Sequence, residues 1–185
     1  SKIISDIHVG YRAICRNLTD KKRIEELSIT DKLTGLYNRL KLDEVLIIRI
    51  EEFKRYKTDF SIILLDIDDF KMVNDIYGHD MGDNVLKTIS TILKDNTRIT
   101  DVVGRWGGEE FVIICENTNL DEIQILAEHL RIKVEQTIFK DVGNKTISLG
   151  IAQFKEGDTV STIFKRADER LYLAKTTGKN NVGVI

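Results

Sequence analysis

The stretch Arg105-Trp106-Gly107-Gly108-Glu109-Glu110-Phe111 decides how this sequence can fold. Apolar, β-branched runs lie on both sides of it, Val102-Val103 before and Val112-Ile113-Ile114 after. Two such runs joined by a short loop that contains glycine predict a β-hairpin. The glycines permit positive φ and a close approach to the main chain. The sequence therefore predicts a hairpin with two adjacent carboxylates at its tip.

The two adjacent carboxylates, Glu109 and Glu110, do not stabilise a turn, because their charges repel each other and their side chains have no apolar surface to pack. Oxygen ligands are what a hard divalent cation prefers, so a metal site is one interpretation. A solvated turn is the other, since Glu-Glu pairs are common on protein surfaces. This stretch alone leaves both interpretations open.

A second acidic cluster follows the run Ser61-Ile62-Ile63-Leu64-Leu65, which is apolar, bounded by charge and predicted to be a buried strand. The run ends in Asp66-Ile67-Asp68-Asp69-Phe70-Lys71. A carboxylate at the end of a buried strand lies where α/β folds place their sites. If the two strands are neighbours, Asp66 converges with Glu109 and Glu110, which favours a metal site.

Both segments resemble motifs of the GGDEF family, the diguanylate cyclases. Residues 105–111 resemble its signature in the Gly-Gly-Glu-Glu-Phe form, and residues 66–75 resemble its Asp-x-Asp-x-Phe-Lys-x-x-Asn-Asp segment. Three further segments resemble the family in the same order along the chain: the opening at 31–39, the Gly-x-x-x-Gly-Asp loop at 78–83 and the ending at 167–175. The resemblance covers about residues 30 to 185, and five ordered motifs make chance a weak explanation.

Apolar periodicity predicts the remaining elements. Helices are expected over residues 39–57, 84–96 and 121–136 and from Asp158 onward, and strands over residues 145–154 and 182–185. Residues 78–83 are expected to be turn-rich. This order predicts an α/β (α+β) fold, with a mixed, largely antiparallel central sheet flanked by helices, like the palm of nucleotide cyclases and polymerases.

Residues 1–29 are expected to form one N-terminal signalling or dimerisation helix, separate from the domain of residues 30–185. Its apolar positions recur at steps of three and four, at Ile3, Ile7, Tyr11, Ile14 and Leu18. Such a narrow stripe indicates a two-helix seam with a break in its heptads, although a helix packed back on its own domain is the alternative. In the family such helices join a sensor to the cyclase, so the resemblance implies an upstream sensor domain.

Composition excludes several other classes of protein. The 28 basic and 30 acidic residues give a formal net charge of −2, so no basic field suggests nucleic-acid binding. The two cysteines and three histidines form no metal pattern, and Cys115 is expected to be a buried, reduced thiol. No signal peptide or apolar run of membrane-spanning length is evident, so we expect a cytoplasmic domain. A membrane anchor through a sensor stays open for the full-length protein.

The resemblance implies a homodimeric diguanylate cyclase that converts two GTP into cyclic di-GMP and two pyrophosphates. It implies that Asp66, the Ile67 carbonyl and Glu109 hold one or two Mg²⁺ or Mn²⁺ ions, with Glu110 as a second ligand or general base. The alternative from another class is a non-catalytic receptor for GTP or cyclic di-GMP. A cyclase with altered base choice is a third interpretation, against which Asp83 argues.

The remaining predicted site residues bind nucleotide. Main-chain N–H groups at Asp69, Phe70 and Lys71 begin a helix and can hold phosphate oxygens. In the family pattern Asn74 and Asp83 match guanine-reading positions, and a carboxylate suits the N1–H and N2–H donors of guanine. The resemblance further implies that Lys175 and Lys179 reach the β- and γ-phosphates, and that Arg98 and Asp101, an Arg-x-x-Asp pair, mediate inhibition by the product.

Each of these residues also has an ordinary structural interpretation. An isolated Asn or Asp is commonly a helix cap or turn residue, and lysines near a helix end are favoured by the dipole. Arg98 and Asp101 alone would form a surface ion pair of little energetic value. Two positions depart from the family pattern: Arg170 replaces a small residue, and Lys179 stands where arginine is commoner, so a bidentate clamp becomes a point charge.

Overall fold

The structure, a computed structural model, describes residues 29–183 of the chain. Its helices are α1 (Arg39–Tyr56), α2 (Phe70–Tyr77), α3 (His79–Asp95), α4 (Leu120–Glu135) and α5 (Val160–Thr176). Its strands are β1 (Phe60–Ile67), β2 (Val102–Gly107), β3 (Glu110–Glu116), β4 (Ile138–Phe139), β5 (Gly143–Asn144), β6 (Ile147–Gln153) and β7 (Val182–Gly183). The helix predicted for residues 1–29 lies outside the described residues, apart from its last position, and stays a prediction.

Five of these strands form one sheet in the order β2-β3-β1-β6-β7. All neighbouring strands are antiparallel except β6 and β7, which run parallel. Helices cover both faces, so the predicted class, a mixed and largely antiparallel sheet flanked by helices, is confirmed. Within residues 29–183 no helix combines the length and apolarity needed to cross a membrane.

The sheet divides the core into two layers because successive side chains of a strand point to opposite faces. In β1, Ile62 and Leu64 pack in the layer that α1 and α5 cover. Ile63 and Leu65 pack in the layer that α2, α3 and α4 cover. Strand β1 is buried along its whole length, as its continuous apolar run predicts. Residues of even number near its end, including Asp66, therefore face α5.

Two local expectations are wrong. Residues 78–83 do not form a loop, because α3 begins at His79 directly after Gly78, whose positive φ of 83° ends α2. A short hairpin of β4 and β5 also lies between α4 and β6, where no element was expected. Strands of two residues carry too few side chains for an alternating pattern to be recognised in a sequence.

Helix α5 packs unusually close to the sheet because Gly150 lies beneath it. A Cβ atom at Gly150 would lie 1.9 Å from the Ala167 carbonyl oxygen and 2.5 Å from the Leu171 nitrogen. Arg170, which stands where the family pattern has a small residue, also lies between α5 and the sheet. Its side chain is buried, and its Nη1 donates to the Ile151 carbonyl at 2.6 Å. The substitution expected to change local packing is thus accommodated by a main-chain acceptor on β6.

We expect Gly150→Ala to lower the free energy of unfolding by about 3 kcal/mol, since the added methyl group must displace the backbone of α5. Gly107→Ala is the matched control, because a Cβ there meets nothing within 4 Å and its φ is not positive. Urea unfolding of both variants measures the difference. Equal stability of the two variants would contradict this account of the α5 packing.

Candidate active site

Asp66 and Glu110 lie directly opposite each other at the ends of two hydrogen-bonded strands. The antiparallel register of β1 and β3 pairs the two residues, and both lie on the sheet face that α5 covers. Residues paired across antiparallel strands have Cβ atoms about 5 Å apart. Glu109 precedes Glu110 at the hairpin tip, so the structure brings together the three carboxylates that the sequence predicts to converge.

Lys175, near the end of α5, supplies a positive charge to this cluster. Its Nζ lies 2.8 Å from Asp66 Oδ2, and Asp66 is only 8% exposed. Burial raises the pKa of Asp66, the Lys175 ammonium opposes that rise, and the nearby Glu109 and Asp68 carboxylates add to it. Burial also raises the pKa of Glu110, with a further contribution from Asp66. Negative charge thus exceeds positive charge at the ends of β1 and β3.

The hairpin tip is held in place by Arg105. Its guanidinium donates from Nε and Nη2 to the Gly108 carbonyl at 2.9 and 2.7 Å. Its Nη1 also lies 3.3 Å from Asp31 Oδ1, in the loop that precedes α1. Burial would raise the pKa of Asp31, but hydrogen bonds from Thr34 and the charge of Arg105 lower it overall. The Gly-Gly turn is therefore anchored to a segment 74 residues earlier in the chain.

An aromatic stack supports the same hairpin from the side of α5. The Trp106 ring stacks on Phe164 with the centroids 4.6 Å apart, and the Arg39 guanidinium lies 4.3 Å from the Trp106 ring centroid. A cation over an indole face is an attractive electrostatic contact. The stack connects the beginning of α1, the hairpin and α5. Asp31, Arg39 and Trp106 are not among the predicted site residues, because no local sequence pattern marks these long-range contacts.

The turn from β1 into α2 contains the predicted phosphate-binding group. Asp69 has a positive φ of 55° and precedes α2 without a side-chain cap. The N–H groups of Phe70 and Lys71 therefore face outward from the start of the helix, whereas that of Met72 donates to the Asp69 carbonyl at 3.0 Å. The Lys179 ammonium lies 2.6 Å from Asp69 Oδ1. Two predicted phosphate ligands, Lys179 and the start of α2, are thereby adjacent.

The predicted guanine-reading residues lie on two successive helices. Asn74 belongs to α2 and Asp83 to α3. Gly82, next to Asp83, packs against Asn74: a Cβ there would lie 2.0 Å from Asn74 Oδ1. The absence of a side chain at Gly82 allows α2 and α3 to approach at this point, which brings Asn74 near Asp83.

The predicted product-binding residues Arg98 and Asp101 lie at the opposite end of β2 from the hairpin tip, roughly 20 Å of extended chain away. The Arg98 main-chain N–H, rather than its guanidinium, donates to Asp101 Oδ2 at 2.9 Å. Asp101 Oδ1 is buried, and the Asp101 carboxylate lies within hydrogen-bonding reach of the Cys115 thiol. Clefts of about 680 and 540 Å³ are lined by both residues. The structure thus separates this pair from the three carboxylates.

Cys115 is buried, as predicted, and lies close to Asp101. Burial raises the pKa of the Cys115 thiol, and the neighbouring Asp101 carboxylate raises it further. A thiol that resists ionisation is a weak nucleophile and a weak metal ligand. Cys115 is therefore a residue of the core rather than of a site.

The donors at the strand ends fit a divalent cation in kind. Within residues 29–183, no three His, Cys, Asp or Glu side chains lie close enough together to enclose a metal ion. The predicted set consists of the Asp66 and Glu109 side chains and the main-chain oxygen of Ile67, with Glu110 as a second ligand or general base. All are hard oxygen donors, which suit Mg²⁺ or Mn²⁺. The raised pKa values of Asp66 and Glu110 reflect negative charge that a cation would offset.

A cleft of about 310 Å³ lies beside Glu110 and is lined by α5 residues that include Asp168, Tyr172 and Lys175. Asp168 adds to the rise in the pKa of Glu110. In the sequence, Asp168 and Tyr172 stand only within the motif at residues 167–175 and carry no predicted role. Their side of α5 becomes apparent once the helix is docked on the sheet.

The largely antiparallel sheet, with acidic residues at the ends of β1 and β3, agrees with the palm-like cyclase fold that the resemblance implies. The family described as "Diguanylate cyclase, GGDEF domain" matches residues 28–181. The chain belongs to this family, which confirms the resemblance.

Two relatives illustrate the similarity. The chain is 36% identical over 173 residues to diguanylate cyclase DgcM of Escherichia coli (strain K12), a match that covers 91% of this chain and 42% of DgcM. It is 41% identical over 163 residues to the response regulator PleD of Caulobacter vibrioides (strain NA1000 / CB15N), covering 85% of this chain and 36% of PleD. The chain thus spans less than half the length of either relative.

Solved structures agree with these matches. The coiled coil and GGDEF domain of DgcB from Caulobacter crescentus, in complex with c-di-GMP, is similar with a TM-score of 0.93 and 25% identity, covering 100% of both chains. The active GGEEF domain of a diguanylate cyclase from Vibrio cholerae is similar with a TM-score of 0.74 and 34% identity. That match covers 77% of this chain and 93% of the other.

We expect Lys175→Met to lower the free energy of unfolding by about 1 kcal/mol at pH 7, since it removes the counter-charge of Asp66 at a partly exposed position. Burial already raises the pKa of Asp66, and the substitution raises it further. A carboxyl group with a raised pKa in the folded state destabilises the protein as pH rises above its ordinary value. The loss is therefore expected to be small near pH 4 and to grow toward pH 7.

Lys165→Met is the control for this prediction, because Lys165 lies on the same helix, is 77% exposed and is 3.9 Å from Glu169. Denaturant unfolding of both variants between pH 4 and pH 7 measures the effect. A loss in Lys175→Met that does not vary with pH would contradict the assignment to Asp66.

Proposed function

We propose that this chain is a diguanylate cyclase domain that condenses two GTP molecules into cyclic di-GMP and two pyrophosphates. The observation that carries the proposal is the opposed pair Asp66 and Glu110, with Glu109 beside them and Lys175 bound to Asp66. Membership of the family and the printed functions of DgcM and of the Vibrio cholerae domain support it.

In this proposal Asp66, the Ile67 carbonyl and Glu109 hold a divalent cation, Mg²⁺ or Mn²⁺. When bound, such an ion would lower the pKa of the attacking 3′-hydroxyl and offset charge on the α-phosphate. Glu110 is either a second ligand or the base that accepts the hydroxyl proton. The raised pKa of Glu110 suits a base, because a carboxylate with a higher pKa accepts a proton more readily.

The chain's own residues orient the substrate. The N–H groups at the start of α2, at Asp69, Phe70 and Lys71, and the ammonium groups of Lys175 and Lys179 are proposed to bind the phosphates of GTP. Asn74 and Asp83 are proposed to bind the guanine edge, where the Asp83 carboxylate accepts from N1–H and N2–H. The contacts of Lys175 with Asp66 and of Lys179 with Asp69 support this role, since both bring cations to the carboxylate cluster.

The reaction requires two domains because each is proposed to bind one GTP. A homodimer related by a two-fold axis brings each 3′-hydroxyl to the other nucleotide. The helix of residues 1–29 is proposed to set this arrangement in response to an upstream sensor domain. We propose a cytoplasmic location for the domain, since GTP is a cytoplasmic metabolite.

Cyclic di-GMP is further proposed to inhibit the enzyme through Arg98 and Asp101. The two clefts that Arg98 and Asp101 both line support this role, because a ligand bound there lies beside both side chains. The distance from the carboxylate cluster is consistent with an allosteric rather than a competitive site. Arg98 is proposed to clamp a phosphate or the Hoogsteen edge of the base.

Incubation of the chain with GTP and Mg²⁺, with nucleotides separated by chromatography, tests the catalytic proposal. We expect cyclic di-GMP to appear with a more than linear dependence on protein concentration. Glu110→Gln is expected to lower the rate at least about 100-fold, within the range that a lost base accounts for. Asp168→Asn is the control, because Asp168 lines the same cleft and the substitution removes a neighbouring negative charge without changing Glu110.

Unchanged product formation by Glu110→Gln would refute the catalytic assignment. If GTP binds but wild-type protein yields no product, fusion to a strong dimeric coiled coil separates two causes. Recovery of product then identifies missing dimerisation. Continued inactivity favours the alternative, a non-catalytic receptor for GTP or cyclic di-GMP.

Base choice is tested by competition between GTP and ATP in the same assay. We expect a preference for GTP of at least about 100-fold, because adenine presents an acceptor at N1 to the Asp83 carboxylate. Asp83→Ala is expected to reduce this preference, mainly by weakening the binding of GTP. Comparable use of ATP by the wild-type chain would favour the cyclase of altered base choice instead.

A further inference from the structure

The turn of residues 178–181, between α5 and β7, has an unusual main-chain conformation. Three successive residues have positive φ: Gly178 at 122°, Lys179 at 62° and Asn180 at 45°. Glycine adopts such angles freely and asparagine tolerates them, but lysine is strained there. A strained turn persists only where surrounding contacts determine it. The contacts of Asn180 are therefore of interest.

The Asn180 side chain is bound to α4 by two hydrogen bonds. Its Oδ1 accepts from Arg131 Nη1 at 2.8 Å, and its Nδ2 donates to Glu135 Oε1 at 2.7 Å. Arg131 is itself held by Glu135 at 3.0 Å and by Glu128 at 2.8 Å. The amide thus has a donor and an acceptor in fixed positions, which only a side-chain amide of this length satisfies together.

The Asn180 main chain is bound to the end of β1. Its N–H donates to Asp68 Oδ2 at 3.0 Å. Asp68 is 5% exposed, and its carboxylate also accepts from Thr146 Oγ1 and Ser148 Oγ, each at 2.7 Å. Asp68 lies between Asp66 and Asp69 in sequence. One continuous set of hydrogen bonds therefore joins α4, the 178–181 turn and the segment that carries the predicted metal and phosphate ligands.

Lys179 is the residue that this arrangement positions. It precedes Asn180, and its Nζ reaches Asp69 Oδ1 at 2.6 Å, at the start of α2. A lysine on a mobile turn would sample many positions, because its side chain has four rotatable bonds and no fixed fork of donors. Fixing the main chain on both sides of the lysine limits those positions.

We infer that Asn180 is a positioning residue for triphosphate binding: through Arg131, Glu135 and Asp68 it holds the 178–181 turn so that the Lys179 ammonium lies at the start of α2. This inference rests on the proposed function, which assigns GTP phosphates to that place. An ammonium group lacks the rigid, planar set of donors of a guanidinium, so its position depends more strongly on a fixed backbone.

The test compares binding of 3′-deoxy-GTP, which lacks the attacking hydroxyl, with binding of GMP, which lacks the β- and γ-phosphates. Both are measured calorimetrically in Mg²⁺. Asn180→Gly removes the side-chain bonds while leaving positive φ allowed and the main-chain donor to Asp68 in place. We expect this variant to bind 3′-deoxy-GTP about tenfold more weakly, the loss typical of one charge-assisted contact, and to bind GMP with unchanged affinity.

Asn181→Ala is the matched control, because Asn181 is exposed and has no side-chain bond to α4 or β1 within the described residues. Its Oδ1 accepts from the Val182 N–H at 2.9 Å, and its Nδ2 donates to Thr177 Oγ1 at 3.4 Å. We expect its two affinities to match those of the wild type. Arg131→Lys is a second variant and is expected to follow Asn180→Gly, because an ammonium cannot hold two carboxylates and an amide in one plane. Arg166→Lys, on the remote ion pair with Asp158, controls for loss of a guanidinium.

Equal weakening of both ligands, or a lower melting temperature with unchanged affinities, would overturn the inference and leave Asn180 a structural residue. Wild-type protein that binds 3′-deoxy-GTP no more tightly than GMP would overturn it as well. These outcomes do not depend on turnover. Failure to form cyclic di-GMP even after fusion to a dimeric coiled coil, alongside the expected change in affinity, would therefore refute the proposed catalysis alone.

Discussion

The register between β1 and β3 is the constraint on which the rest of the site depends. It pairs Asp66 with Glu110 on one face of the sheet, where their charges repel and burial raises the pKa of both. A shift of one residue would turn one carboxylate to the opposite layer. Apolar residues on both faces of these strands prevent such a shift, because it would move the buried side chains of one core layer into the other.

Cations are brought to these carboxylates by elements from distant parts of the chain. Helix α5 lies close enough for Lys175 to reach Asp66 because Gly150 leaves room beneath its backbone. Arg105 and Asp31 anchor the hairpin tip, and Asn180 anchors the turn that carries Lys179. Each anchor satisfies main-chain or carboxylate groups that would otherwise be costly to hold in place.

Much of the fold and of the carboxylate cluster could be predicted from the sequence. The buried strand ending in Asp66 and the Gly-Gly turn before Glu110 have strong local patterns, and each lies at the expected position. Residues 78–83 were assigned wrongly because glycine and aspartate favour turns, whereas packing of Gly82 against Asn74 favours a helix. The contacts of Asp31 with Arg105 and of Asn180 with Arg131 join residues 74 and 49 positions apart, and no periodicity reports such pairs.

The sequence by itself determined the class of fold, the two acidic strand ends and the family, because these depend on local periodicity and short ordered motifs. The tertiary structure decided which charges meet. The pairing of Lys175 with Asp66, the opposite location of Arg98 and Asp101, and the bonds of Asn180 all follow from helices docked on a sheet. Docking depends on the shapes of complete surfaces, such as the gap at Gly150, and a linear pattern does not contain that information.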